Sequence, residues 1–345
     1  MKKIISSING LFIIAVCSFF FVPAFSVTVP AAEPVDSMAG PAFTDSSEIM
    51  EMPEEWIRQP VKYEQSAGDA DLAITLDQHL YPACLPLIQE YAKVNGMKIF
   101  VNEGTCGISA GMISRKTVDI GGYCCSPGIT DRLPGLRFHT IGISALALFV
   151  HPENPVEDIT MEQARQIFAG EIYRWSELES KDGTKGPNLP IQPIGRLHCK
   201  LRPGHWRLLL DNQDLFSAAL QEVGAIPDMI SKVASNKRAI GYEVLWNSIR
   251  YKDRGRVKPL KIDGYSPDSQ EALASGKFPM YRVYSLTTWE GKGIERAEAK
   301  KMVEYIIKQS EVLEKEHSIV PAFRLREVGW KFKGNELVGE PEKLK

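Results

Sequence analysis

An α/β fold with mainly parallel sheets is what this 345-residue sequence predicts. Two observations carry the prediction. Short apolar runs alternate along the chain with segments of helical periodicity, and residues 99 to 127, IFVNEGTCGISAGMISRKTVDIGGYCCSP, read as a complete βαβ unit. An apolar strand, Ile99 to Val101, enters a small-residue turn, Gly104-Thr105-Cys106-Gly107; a helical segment from about Ile108 to Arg115 follows, then a second strand, Val118 to Gly122. Gly104 and Gly107 are read as letting the backbone turn sharply, while the helix start directs its unpaired N–H groups into the turn, an arrangement that favours anions. A thiol, Cys106, occupies this turn, and the next strand ends on a vicinal pair, Cys124-Cys125, where the same cleft would open.

Composition sets the outer bounds. Hydrophobic residues make up 44% of the chain and charged residues 24%, with a formal net charge of -2, which suits one or two soluble domains with full cores. With 41 Lys+Arg against 43 Asp+Glu and no basic run, no nucleic-acid footprint exists, and any anion site must be local.

The elements follow in order. Residues 1–26 carry two lysines, an apolar core from Leu11 to Val22 and small residues at the end, the pattern of a secretory signal cleaved between 26 and 32. Val16 before Cys17 is too large for a lipoprotein signal, and the apolar run falls short of the ~20 residues of a spanning helix. Cys17 is therefore expected to leave with the signal. Residues 32–69, rich in Pro, Ser, Asp and Glu, read as an acidic extended lead-in with scattered anchors such as Trp56 and Ile57. LAITL, from about Asp71, is a short strand; His79 and Tyr81 follow in a loop, and Pro82 opens a helix that runs to about Val94 with Cys84 in its first turn. After the βαβ unit comes a buried strand, FHTIGISALALFV. Thr160 and Gln163 then stand at capping-box spacing before a helix that runs to Phe168 and stops at Gly170. PIQPIGR is a strand with a polar loop and a helix from about Pro203; NKRAIGYEVLWN, VKPLKIDG and FPMYRVYSLTT supply further strands, and Gly293 to Ser310 forms an amphipathic helix before a charged tail, 331–345.

Several of these segments, DITMEQARQIFAGEIYRWSEL, HPENPV, PIQPIGR, AIGYEV and VKPLKIDGYSPDSQEALASGKFPMYRVYSLTT, together with the βαβ unit, resemble the periplasmic phosphate-binding proteins of ABC transporters over roughly residues 70 to 330. The resemblance implies a two-lobed periplasmic-binding-protein fold, each lobe a mainly parallel sheet flanked by helices. Lobe one would comprise 71–148 plus 286–330 and lobe two 149–285. Crossing strands near Leu146 to Val150 and Arg282 to Ser285 would join them, closing on a ligand in between. It also implies a periplasmic monomer that presents a small inorganic ligand to an ABC permease or, alternatively, a membrane sensor kinase, with no enzymatic activity and no nucleic-acid partner.

The departures from that family fall in its ligand loops. Carried over by position, the small-residue loop before the first helix is His79 to Cys84; the Gly-Ser-Gly loop becomes Gly104-Thr105-Cys106-Gly107; the Ser-Arg after the DIG strand becomes Cys124-Cys125-Ser126; the acidic residue of the crossing strand falls near Ser144; and the arginine loop keeps Arg196 but continues through His198 and Cys199 to Arg202 and His205. The expected ligand-binding residues are Thr105, Cys106, Gly107, Cys124, Cys125, Ser126, Arg196, His198 and Cys199. Cys106, Cys124, Cys125, His198 and Cys199 offer soft donors to a metal or metalloid ion, with Cys84 and His79 second in rank. His139, His151 and His317 read as ordinary polar positions, and Tyr242 as hinge-side packing.

Four readings follow: a cleft rebuilt around thiols that takes a thiol-reactive oxyanion, metalloid or soft metal ion as ligand rather than as a resident cofactor; a plain phosphate or oxyanion binder whose cleft is stapled by disulfides; a ligand sensor; and a cysteine-dependent redox enzyme using Cys199 with His198 or His205.

Overall fold

A computed structural model describes residues 42–179, 183–197 and 208–342. His198, Cys199, Arg202 and His205 lie outside the described residues, as do the segment expected to be a secretory signal and the expected helix start at Pro203.

In chain order the elements are α1 (Glu54–Arg58), β1 (Leu72–Asp77), α2 (Tyr81–Asn95), β2 (Ile99–Gly104), α3 (Cys106–Ser114), β3 (Ile120–Tyr123), β4 (Leu136–Val150), β5 (Asp158–Ile159), α4 (Met161–Ala169), β6 (Gln192–Gly195), β7 (Gln221–Glu222), α5 (Ile226–Ala234), β8 (Ala239–Val244), α6 (Asn247–Arg250), β9 (Lys258–Pro259), β10 (Lys261–Ile262), α7 (Gln270–Ala274), β11 (Tyr281–Trp289), α8 (Ala297–Lys308), α9 (Ser310–His317), β12 (Ile319–Pro321), α10 (Ala322–Glu327), β13 (Lys331–Lys333) and β14 (Glu336–Gly339). The main sheet runs β2-β1-β3-β11-β4-β8-β6-β7, with β12 and β9 also pairing β4. β1 lies parallel to both β2 and β3, and β6 parallel to β8, as the alternation of strands and helices predicts.

Two strands join the halves of this sheet. β4 pairs antiparallel with β11 through Ala145, then with β8 from Leu146 onward. One half packs Leu72, Ile74, Leu76 and Ile120 against Tyr284 and Leu286 of β11 and Met302 and Ile306 of α8. The other packs Leu148, Phe168, Trp175, Ile240 and Tyr242 together, and Val320, Leu325, Trp330 and Leu337 near the C-terminus belong to this second core. Gly142 on β4 is where β12 presses closest, because a Cβ there would meet the Val320 carbonyl oxygen at 2.2 Å.

α4 begins and ends as its sequence dictates. Thr160 Oγ1 accepts from the Gln163 N–H at 3.0 Å, the Gln163 side chain accepts from the Thr160 N–H at 2.9 Å, and Gly170 closes the helix at φ 87°.

Three expectations need correction. The turn around Cys106 is shorter than its glycines suggest: Gly104 is the last residue of β2, Gly107 lies inside α3, and neither has positive φ. Gly104 is instead a close-approach position, where a Cβ would meet Ile108 at 2.7 Å. The acidic lead-in is docked rather than simply extended, because Met52, Trp56, Val61 and Tyr63 pack on the core of the first half. Trp56 Nε1 donates to the Ser114 carbonyl at 2.7 Å, and Lys116 Nζ donates to the carbonyls of Trp56, Ile57 and Gln59 at 2.6, 3.1 and 2.9 Å. The charged tail begins as a hairpin of β13 with β14, turning at Gly334 with φ 60° and burying Leu337.

Candidate functional site

Three sulfurs meet where the first half of the sheet faces the second. Cys106 is the first residue of α3, placed there by the Thr105 cap, whose side chain accepts from the Ile108 N–H. Cys124 and Cys125 follow directly on β3. Cys106 Sγ lies 3.2 Å from Cys124 Sγ and 3.7 Å from Cys125 Sγ, and all three residues are buried. These spacings are well beyond the ~2.05 Å of a disulfide and close to the ~3.7 Å between two thiolates on one tetrahedral ion with metal–sulfur bonds of ~2.3 Å. The three sulfurs lie within 4.8 Å of one another, and so do ligand atoms of Asp77, His79 and Cys124.

A buried polar chain surrounds the sulfurs. Asp77, the last residue of β1, accepts from the His79 backbone N–H at 2.9 Å, holds His79 Nδ1 at 2.8 Å and accepts from Cys106 Sγ at 3.2 Å. His79 Nε2 reaches Glu243 Oε1 at 2.9 Å, and the other Glu243 oxygen accepts from Arg196 Nη1 at 2.8 Å. Both imidazole nitrogens therefore face carboxylate oxygens. Arg282 Nη1 donates to Cys124 Sγ at 2.6 Å. Two carboxylates and two guanidiniums thus stand together inside the protein, each sign balanced by the other.

The electrostatics follow from that balance. Burial works against the Glu243 carboxylate, but His79, Arg196 and Arg282 outweigh it and hold the group well below the usual carboxylate range. Burial pushes the Cys124 thiol well up, and its hydrogen bonds with Cys106 and Cys125 push the same way, against the opposing charge of Arg282. The Cys125 thiol is also held well up, first by its hydrogen bond with Cys106 and then by burial. The two vicinal sulfurs rest as neutral thiols.

The remaining expected residues fall elsewhere or stand at the margin. Thr105 is engaged as a helix cap, Gly107 is exposed, and Ser126 is buried just past the vicinal pair. Cys84 belongs to the aliphatic core of the first half, where burial raises its thiol to about 12, and it is in neither donor group. Among the described residues no disulfide staples the site. His139 hydrogen-bonds Thr288 at 2.8 Å, and Tyr242 Oη accepts from the Arg196 N–H at 3.2 Å. Asp77, Glu243 and Arg282 were not among the expected ligand residues. Each is a charge set in an otherwise apolar strand, LAITLD, AIGYEV and YRVYSL, and that is the signal that could have found them.

Comparison with known proteins adds the family. The PBP-like family description, PBP superfamily domain, matches residues 62–310. A protein named phosphate-binding protein PstS from Bacillus subtilis (strain 168) is 25% identical over 250 residues, covering 70% of this chain and 77% of the relative. The PstS of Pseudomonas aeruginosa PAO1 is 24% identical over 156 residues, 41% of this chain and 46% of the relative. Among solved structures, an ABC-type phosphate transport receptor from Vibrio cholerae superposes with a TM-score of 0.59 at 16% identity, covering 72% of this chain and 99% of that one. A putative phosphate ABC transporter substrate-binding protein with bound phosphate from Clostridium perfringens gives 0.60 at 20% identity, with 73% and 99% covered. At such identities the structures speak for the fold alone, two lobes joined by crossing strands.

Proposed function

The chain belongs to the PBP superfamily, and from that premise we propose that it is an extracytoplasmic solute-binding protein that captures a thiol-reactive inorganic ligand, a trivalent metalloid hydroxide, at the sulfur group that Cys106 forms with the vicinal pair after β3. The observation that carries this reading is the enclosed group of three sulfurs, all within 4.8 Å of one another.

Charge selects within the soft ligands. A divalent cation would have to strip protons from thiols that burial holds neutral, leaving a new charge balance in the interior. A neutral hydroxide of a trivalent metalloid instead gives up one hydroxyl, as water, for each thiol it binds, so the exchange leaves the net charge of the site unchanged. The export-like segment 1–26 supports an extracytoplasmic location, and no helix of the described residues is long and apolar enough to cross a membrane. The relative named as an ABC-type receptor favours a permease as partner; a membrane sensor kinase is the alternative.

A second reading, a phosphate-like oxyanion, is favoured by the relatives' names and by two buried guanidiniums. Arg196 and Arg282 already face Glu243 and Cys124, which weighs against it. Native mass spectrometry of reduced protein incubated separately with arsenite, zinc and phosphate separates the two. The expected result is one arsenic per chain, lost in Cys106→Ser. Phosphate retained by wild type and by Cys106→Ser alike, with no arsenic adduct, would sink the thiol reading.

A further inference from the structure

Two buried hydroxyls beside the sulfurs have no hydrogen-bond partner. Ser144 and Tyr284 are both fully buried, and neither Ser144 Oγ nor Tyr284 Oη makes a hydrogen bond among the described residues. An unpaired buried hydroxyl costs about 1–3 kcal/mol. Their placement gives the reason. Ser144 on β4 stands directly opposite Arg282 on β11, so the two side chains share a face of the sheet, and Tyr284, two residues further along β11, lies on that face too. The register slips only after Tyr284, which leaves this alternation intact. Arg282 on the same face touches Cys124 Sγ at 2.6 Å. The Tyr284 hydroxyl is pushed well up, chiefly by burial and against the charge of Arg282, with Cys124, Asp77 and Glu243 adding to the rise, so it lies within the field of the sulfur group. One donor-acceptor hydroxyl from each crossing strand, on the face that also carries Arg282, offers a cradle for an oxygen atom.

We infer that Ser144, Arg282 and Tyr284 form an oxygen subsite next to Cys106 and Cys124, so that the bound species is a thiophile that keeps one oxygen: a metalloid hydroxide bonded to two sulfurs and still carrying one hydroxyl. This rests on the thiol-capture reading and narrows its ligand class. The step balances without an oxidant. One trivalent hydroxide and two thiols give a dithiolate that retains one hydroxyl, together with two waters; two sulfur–hydrogen and two metalloid–oxygen bonds break, two metalloid–sulfur bonds and the two oxygen–hydrogen bonds of the waters form, and no oxidation state changes. Cys106 and Cys124 are the pair used, because their sulfurs lie 3.2 Å apart and Arg282 contacts the second of them. The retained hydroxyl donates to Ser144 Oγ and accepts from Tyr284 Oη or Arg282. A soft cation such as zinc holds only exchangeable water, which Asp77 and His79 beside Cys124 replace, so it makes no demand on the two hydroxyls.

The experiment uses reduced full-length mature protein with arsenite and, separately, zinc. Native mass spectrometry reads the adduct composition, and competition against a small dithiol reads affinity in wild type, Ser144→Ala, Tyr284→Phe and Cys125→Ser. The expected adduct is one arsenic that keeps one oxygen, and Cys125→Ser still captures it. Ser144→Ala and Tyr284→Phe each weaken arsenite binding about five- to tenfold, the loss of one hydrogen bond to a buried group, and leave zinc binding unchanged. Because each variant deletes an unpaired hydroxyl, neither is expected to unfold, and a thermal melt without ligand checks this. An adduct of arsenic without oxygen, lost in Cys125→Ser, overturns the subsite while leaving thiol capture standing. Failure of the wild type to take up arsenite overturns both.

Discussion

His79 Nε2 and Glu243 Oε1, 164 positions apart in the chain, meet at 2.9 Å and tie the end of β1 to the end of β8. One belongs to the half of the sheet that carries the thiols, the other to the half that carries Arg196. Glu243 Oε1 also accepts from the Val244 N–H at 2.8 Å, so the carboxylate is held by its own strand as well as by its partners. The contact is the buried seam between the two halves.

Glu243→Gln breaks that seam. It leaves Arg196 facing a neutral amide in a fully buried position, and removing one partner of a buried pair costs about 3–5 kcal/mol. Urea unfolding should show a midpoint shift of that size, with the slope little changed. A shift below about 1 kcal/mol would mean that the carboxylate carries little of the closure.

The same residue sets an acid limit. The folded Glu243 carboxyl lies well below its ordinary value of 4.5, so the stability it contributes is present in full above that value and declines as pH falls from there toward the folded value. Thermal melts between about pH 7 and pH 3 should show a loss below about 4.5 that is reduced in Glu243→Gln.

Cys106→Ser should remove arsenite capture and keep the fold. Cys106 Sγ donates to Asp77 Oδ2 at 3.2 Å, a contact that a serine hydroxyl can keep. Equal melting temperatures with complete loss of the arsenic adduct is the expected pair of results; an adduct of undiminished stability would remove Cys106 from the site.

Thiol labelling of Cys84, Cys124 and Cys125 should be slow in the folded protein at neutral pH. Burial holds Cys84 at about 12, burial and hydrogen bonds hold Cys124 well up, and Cys125 is held up chiefly by Cys106. Iodoacetamide followed by peptide mass spectrometry should find Cys84, Cys124 and Cys125 labelled mainly after denaturation. Rapid labelling of Cys124 in the native protein would contradict a neutral resting thiol.

Lys116→Met should loosen the lead-in without touching the site. It deprives three carbonyls of their donor and removes the ammonium held 4.1 Å from the Trp56 ring centroid, a loss of about 2 kcal/mol. Hydrogen exchange across residues 54–63 should quicken, while arsenite affinity stays at the wild-type value.

Much of the fold was legible because its elements are specified locally. The strand and helix periods, the Thr160–Gln163 cap and the βαβ unit each depend on residues close in sequence. The thiols were legible as types, and their convergence came only through the family resemblance. The Asp77–His79–Glu243–Arg196 chain was not legible, because its contacts span up to 164 positions and no local pattern says which buried acid faces which base. Thr105 and Gly107 were over-read for a related reason: a small-residue loop looks the same whether it serves a ligand or caps a helix.

Arg282 carries one last implication. It touches the Cys124 sulfur, yet it stands on a strand that bridges the two cores, opposite Ser144 and a single residue short of the Ala145–Leu146 point where β4 changes partners. One side chain thus serves both the sulfur group and the strand crossover. A substitution at this position alters the sulfur group and the packing of the crossover in one step, so the two change together.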